Sequence, residues 1–73
     1  MRKDKDLVAI GKSLRLLREA EELSQEELAH LSGLHRNYIG GIERGERNVG
    51  VRAVIQLARA LGVAPAKLLD RVE

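Results

Sequence analysis

The fold is decided by residues 23–45, which read LSQEELAHLSGLHRNYIGGIERG. Ser24 and Glu27 have the spacing of a capping box, so a helix is predicted to begin at Ser24. Gly33 follows the last apolar residue of this helix and is expected to end it in a left-handed conformation.

A second short helix is predicted from Arg36 to Arg44, with His35 at its N-cap position and Gly45 closing it. Its interior holds Gly40 and Gly41, which cost about 1 kcal/mol each relative to alanine. Tertiary packing must therefore hold this helix, and its glycines leave a smooth surface for a close approach. Three of its apolar residues share one face: Tyr38, Ile39 and Ile42.

Three more helices are predicted around this pair. The first spans Asp6 to Glu22, the fourth spans Val51 to Leu61 with Gly62 as its terminator, and the fifth runs from Pro65 to about Arg71. The predicted class is all-α, with five helices in one domain, residues 1–73, because so short a chain has room for one core.

Composition excludes several classes of protein. The chain has no cysteine, which rules out disulfides and thiolate metal sites, and Tyr38 is its one aromatic residue, which disfavours stacking on single strands. His30 and His35 lack the spacing of a zinc-binding HExxH motif. We expect no metal, cofactor, small-molecule ligand or enzymatic activity. With a charged start and no long apolar run, a cytoplasmic protein without membrane contact is expected.

Two short helices joined by a tight turn have the geometry of a helix-turn-helix, whose second helix enters the major groove of DNA. The residues opening that helix are the predicted base readers: His35, Arg36 and Asn37. The predicted contacts to the DNA backbone are Ser24, Gln25, Tyr38, Arg44, Arg47 and Asn48. From Arg36 to Arg59 there are five arginines against two glutamates, as suits a phosphate-facing surface. The alternatives are a core role for Tyr38 and simple solvation for Arg44 and Arg47.

The spacing of these residues resembles the helix-turn-helix family of phage repressors, Cro and xenobiotic-response-element-type regulators. The matching segments are residues 23–29, Gly33, residues 38–39, 42–45 and 57–63. Within that family, residues 35–48 are most similar to the controller proteins of restriction–modification systems.

The resemblance implies a lambda-repressor-like fold, a dimer and a palindromic DNA site. It implies that Gln25 binds phosphate and that Arg36, Asn37 and Gly41 occupy base-facing positions. Gly41 has no side chain to read with, and His35 replaces the usual Ser or Thr cap, so its role is open: cap, phosphate contact or base contact. Arg18 and Glu43 match a structural ion pair between the first and third helices.

The fourth helix has more apolar surface than one core requires, which favours a homodimer. The predicted interface residues are Ala53, Leu57, Ala60, Leu68, Leu69 and Val72. The alternative is that the fifth helix covers this surface within one chain.

The sequence therefore predicts a homodimeric, sequence-specific regulator of transcription that binds double-stranded DNA. The resemblance narrows this to a controller protein that regulates its own gene and an endonuclease gene, with RNA polymerase as a further partner and with tetramers on adjacent sites left open. The rival predictions are an antitoxin whose main partner is a toxin protein and a module that binds only proteins.

Overall fold

The computed structural model describes residues 3–73 and contains four α-helices and a short 3-10 helix. The α-helices are α1 (Lys5–Ala20), α2 (Gln25–Ser32), α3 (Arg36–Glu43) and α4 (Val51–Leu61), and the 3-10 helix is Pro65–Leu69. No strand occurs among these residues. The all-α class is confirmed. The fifth helical segment is present, but it is a 3-10 helix that ends at Leu69 rather than at about Arg71.

The ends of α1 differ from the prediction for local reasons. The carboxylate of Asp4 accepts hydrogen bonds from the backbone N–H groups of Asp6 and Leu7, so the helix begins at Lys5 rather than at Asp6. Glu22 adopts a left-handed conformation with φ 56°, which ends the helix at Ala20. A residue other than glycine in this conformation is uncommon.

The helix-turn-helix carries the caps that its sequence predicts. The hydroxyl of Ser24 accepts from the Glu27 N–H at 3.0 Å, and the Glu27 carboxylate accepts from the Ser24 N–H at 2.8 Å. Gly33 is left-handed with φ 75° and ends α2. The capping box therefore places Ser24 just outside the helix, which begins at Gln25.

The core is aliphatic and draws on every helix. Its largest fully buried side chains are Leu14, Leu28, Ile39, Ile42, Leu57 and Leu68. Half-buried residues pack around them, Tyr38 among them. Leu68 from the 3-10 helix closes the core over α4.

The burial of Leu57 and Leu68 corrects part of the argument for a dimer. Each is 1% exposed in a single chain, so neither offers surface to a partner. The alternative reading of the sequence, in which the C-terminal segment covers the apolar excess of α4, accounts for both residues.

Helices α1 and α3 approach closely at Gly11. A Cβ at this position would overlap the carbonyl oxygen of Ile42 and lie 2.8 Å from that of Glu43. The contact seats α3 directly on α1, while Arg36 and Asn37 in the first turn of α3 stay exposed.

Candidate nucleic-acid interface

The first turn of α3 presents three exposed polar side chains. The Nδ1 atom of His35 accepts a hydrogen bond from the Asn37 N–H at 3.1 Å, so His35 is the N-cap of the helix. Arg36 and Asn37 follow with exposed side chains. Arginine and asparagine are the residue types that contact guanine and adenine in pairs of hydrogen bonds.

A buried ion pair holds the opposite, C-terminal end of α3. The Arg18 guanidinium donates to both carboxylate oxygens of Glu43, at 2.7 and 3.0 Å, and to the Leu23 carbonyl at 2.7 Å. The hydrogen bonds to Glu43 raise the pKa of Arg18 above its ordinary value, and this effect exceeds the opposing effect of burial. The pair joins α1, the loop before α2 and the end of α3.

Gln25 is attached to the same ion pair. Its amide nitrogen donates to the Glu43 carboxylate at 3.0 Å, and the side chain is half-buried. An amide nitrogen has two donors, so the second N–H remains for a phosphate oxygen. Glu43 therefore orients the residue that the family resemblance assigns to phosphate binding.

The two glycines of α3 lie under side chains from elsewhere. A Cβ at Gly40 would lie 3.1 Å from an Arg44 guanidinium nitrogen and 3.3 Å from the Gln25 amide oxygen. A Cβ at Gly41 would collide with the Arg47 side chain. The surface left smooth by Gly41 is thus occupied by the aliphatic stem of Arg47, which the sequence did not reveal.

The remaining predicted backbone contacts differ in their surroundings. Ser24 and Asn48 are exposed, and the Arg44 guanidinium is held by the Glu46 carboxylate at 3.0 Å. This contact lowers the pKa of Glu46. The Tyr38 ring packs on the core while its hydroxyl accepts from the Gly50 N–H at 3.4 Å, which combines the core role with a polar end.

The sequence did not predict one partner of the first turn of α3. Glu26 in α2 accepts a hydrogen bond from the Arg36 guanidinium at 3.0 Å. The two residues are ten positions apart, on either side of the turn. The spacing gave no signal, because only the docking angle of α2 on α3 brings them together.

The structure buries some of the predicted dimer residues and leaves others exposed. Leu57, Leu68 and Ala53 are buried, and Ala60 is half-buried. Leu69 is 47% exposed and Val72 is 37% exposed. Val51, the first residue of α4, is 78% exposed and was not among the predicted interface residues.

The chain belongs to the helix-turn-helix family. The family model described as Helix-turn-helix matches residues 14–68, which include α2, the turn and α3. The family resemblance inferred from the sequence is therefore confirmed.

Among its relatives are proteins named as control proteins. The chain is 50% identical over 62 residues to control protein C.SmaI of Serratia marcescens, covering 85% of this chain and 74% of that protein. It is 46% identical over 61 residues to control protein C.BamHI of Bacillus amyloliquefaciens, covering 82% and 75%.

A solved structure of a controller has the same fold. The restriction-modification controller protein C.AhdI from Aeromonas hydrophila superposes with a TM-score of 0.87 at 54% identity, over 89% of this chain and 98% of that one. The narrower resemblance to controller proteins is thus confirmed as well.

Within residues 3–73, no helix is both long and apolar enough to cross a membrane. The same residues contain no cluster of three or more His, Asp or Glu side chains with the arrangement of a metal site.

Proposed function

We propose that this protein is the controller of a restriction–modification system, a transcription regulator that binds a palindromic operator as a homodimer. Residues 1–73 act as one DNA-binding and dimerisation domain. The observation that carries the proposal is the first turn of α3, where Arg36 and Asn37 are exposed side by side above a buried scaffold.

In this mechanism α3 enters the major groove with its N-terminal turn first. Arg36 and Asn37 contact base edges, while Nε2 of His35 stays available because Nδ1 caps the helix. Gln25, Tyr38, Arg44, Arg47 and the N-terminus of α2 contact the flanking phosphates, with Ser24 and Asn48 at the margins.

Two copies of α3 then occupy successive major grooves about one helical turn apart. The interface consists of exposed apolar residues near the C-terminus, Leu69 and Val72, together with the half-buried Ala60 of α4. Such a two-fold contact matches a palindromic site.

The concentration of the protein regulates transcription from its target promoters. The dimer accumulates, occupies an operator at its own promoter and that of an endonuclease gene, and either blocks or recruits RNA polymerase. Dimers on adjacent operators form a tetramer. The relatives are named as control proteins and transcriptional regulators, so we assign DNA binding in the cytoplasm and no enzymatic step.

The experiment is selection of binding sites from random duplex DNA at near-physiological salt. Enrichment of a palindrome whose half-sites are about one helical turn apart supports the proposal. Weak, salt-sensitive binding without enrichment contradicts it and means that the helix-turn-helix is a scaffold or that a missing partner supplies the specificity.

A further inference from the structure

Glu26 is an acidic side chain on the surface that the proposed function directs toward DNA. Its carboxylate lies 3.0 Å from a terminal nitrogen of the Arg36 guanidinium. Glu26 belongs to the first turn of α2 and Arg36 to the first turn of α3. The pair therefore bridges the two helix ends that face the DNA backbone and the bases.

This pair contributes little to holding the fold. The two side chains are 55% and 74% exposed, and exposed ion pairs have small effects on stability. The docking of α2 on α3 depends instead on the buried Leu28 and Ile39. A role for Glu26 has to be sought in what it does to Arg36.

The geometry leaves Arg36 able to read a base while Glu26 holds it. Glu26 accepts a hydrogen bond from one terminal nitrogen, Nη1. A guanidinium has five N–H donors, so the edge formed by Nε and Nη2 stays open. That edge can donate two parallel hydrogen bonds to the O6 and N7 atoms of guanine. A held guanidinium also loses less rotamer freedom when it binds.

The negative charge of Glu26 weakens binding to DNA of any sequence, whereas its hold on Arg36 favours binding to guanine. A carboxylate beside the phosphate-binding groups repels the DNA backbone, whatever the sequence. A guanine at the right position compensates for this repulsion through the oriented Arg36, whereas other bases do not. Unfavourable charge of this kind increases specificity at the expense of affinity.

We propose that Glu26 is a positioning residue for DNA recognition: it aims Arg36 at a guanine edge and weakens binding to every site that lacks this guanine. The inference rests on the proposed function, because it needs Arg36 to contact a base. It adds a specificity determinant from α2, outside the recognition helix.

The test compares Glu26→Gln with the full-length wild-type chain on two duplexes, the selected operator and a scrambled one, over a range of salt. Glu19→Gln is the matched control, since Glu19 is an exposed glutamate that pairs with Arg15 on α1 at 3.2 Å. Each ratio compares two DNAs bound by the same protein, so a partial loss of folding cancels.

Glu26→Gln should bind scrambled DNA more tightly and lower the ratio of operator to scrambled affinity at least about fivefold, the low end of one bidentate base contact. Glu19→Gln should leave the ratio unchanged. In an Arg36→Ala background, Glu26→Gln should not lower the ratio further.

An unchanged ratio in Glu26→Gln, or an equal fall in the Glu19 control, overturns the inference while leaving DNA binding intact. A wild-type chain that selects no sequence overturns the proposed function itself, so the two failures are distinguishable.

Discussion

Arg18 of α1 and Glu43 of α3 form a two-point ion pair whose side chains are only 12% and 4% exposed. Removing one partner leaves the other charged and buried, which is costly. We expect Arg18→Ala to lower the free energy of unfolding by about 3–5 kcal/mol in urea denaturation.

The exposed pair between Arg15 and Glu19 is the control for this prediction. Arg15→Ala should cost less than about 1 kcal/mol, because both partners are solvated. Equal losses in Arg18→Ala and Arg15→Ala would contradict the importance assigned to the buried pair.

Gly11 is required by the close contact of α1 with α3. Gly11→Ala places a methyl group against the carbonyl oxygens of Ile42 and Glu43, which belong to rigid backbone. We expect a loss of about 1–3 kcal/mol, typical of an overpacked contact, in the same denaturation assay. Gly50→Ala meets open space and should change stability by no more than about 1 kcal/mol.

Arg36 is expected to determine preference at one base pair of each half-site. Arg36→Ala should weaken operator binding by about 1–3 kcal/mol and relax selection at that position. Repeating the site selection with the variant measures both effects. A uniform loss on all sequences would mean that Arg36 contacts only phosphate.

Leu69 and Val72 remain the candidates for the dimer interface, because Leu57 and Leu68 are buried within one chain. Leu69→Glu should produce folded monomers in sedimentation with the helical circular dichroism signal retained. Leu31→Glu is the control, because Leu31 is 57% exposed on α2 and should leave the dimer intact. A dimer that survives Leu69→Glu would place the interface elsewhere.

Acid should weaken the start of α2 through Glu27. Hydrogen bonds from the Ser24 N–H and then from its hydroxyl lower the pKa of this carboxyl in the folded protein. A lowered folded pKa gives stability that is present at neutral pH and is lost as the pH falls from about 4.3 through the folded value.

Glu27→Gln keeps a capping side chain but removes this titration. The stability difference between the wild type and the variant should therefore be constant near neutral pH and shrink as the pH falls below about 4.3. Denaturation midpoints across that range measure it. A difference that stays constant down to about pH 3 would show that the Glu27 charge does not contribute.

Much of the fold could be predicted because its signals are local. The capping box of Ser24 with Glu27 and the left-handed glycines, Gly33 and Gly62, act through hydrogen bonds and backbone angles within a few residues. The end of α1 could not be predicted so well, because Glu22 adopts a conformation for which its side chain gives no signal.

The sequence by itself determined the order of the helices, the turn between α2 and α3, and the polar residues on the first turn of α3. Tertiary structure decided which side chains those helices share: Leu57 and Leu68 enter the core, the Arg47 stem covers Gly41, and Glu26 meets Arg36. The physical reason is that caps and turns depend on neighbours in the chain. Burial and ion pairing depend on the angle at which distant segments pack.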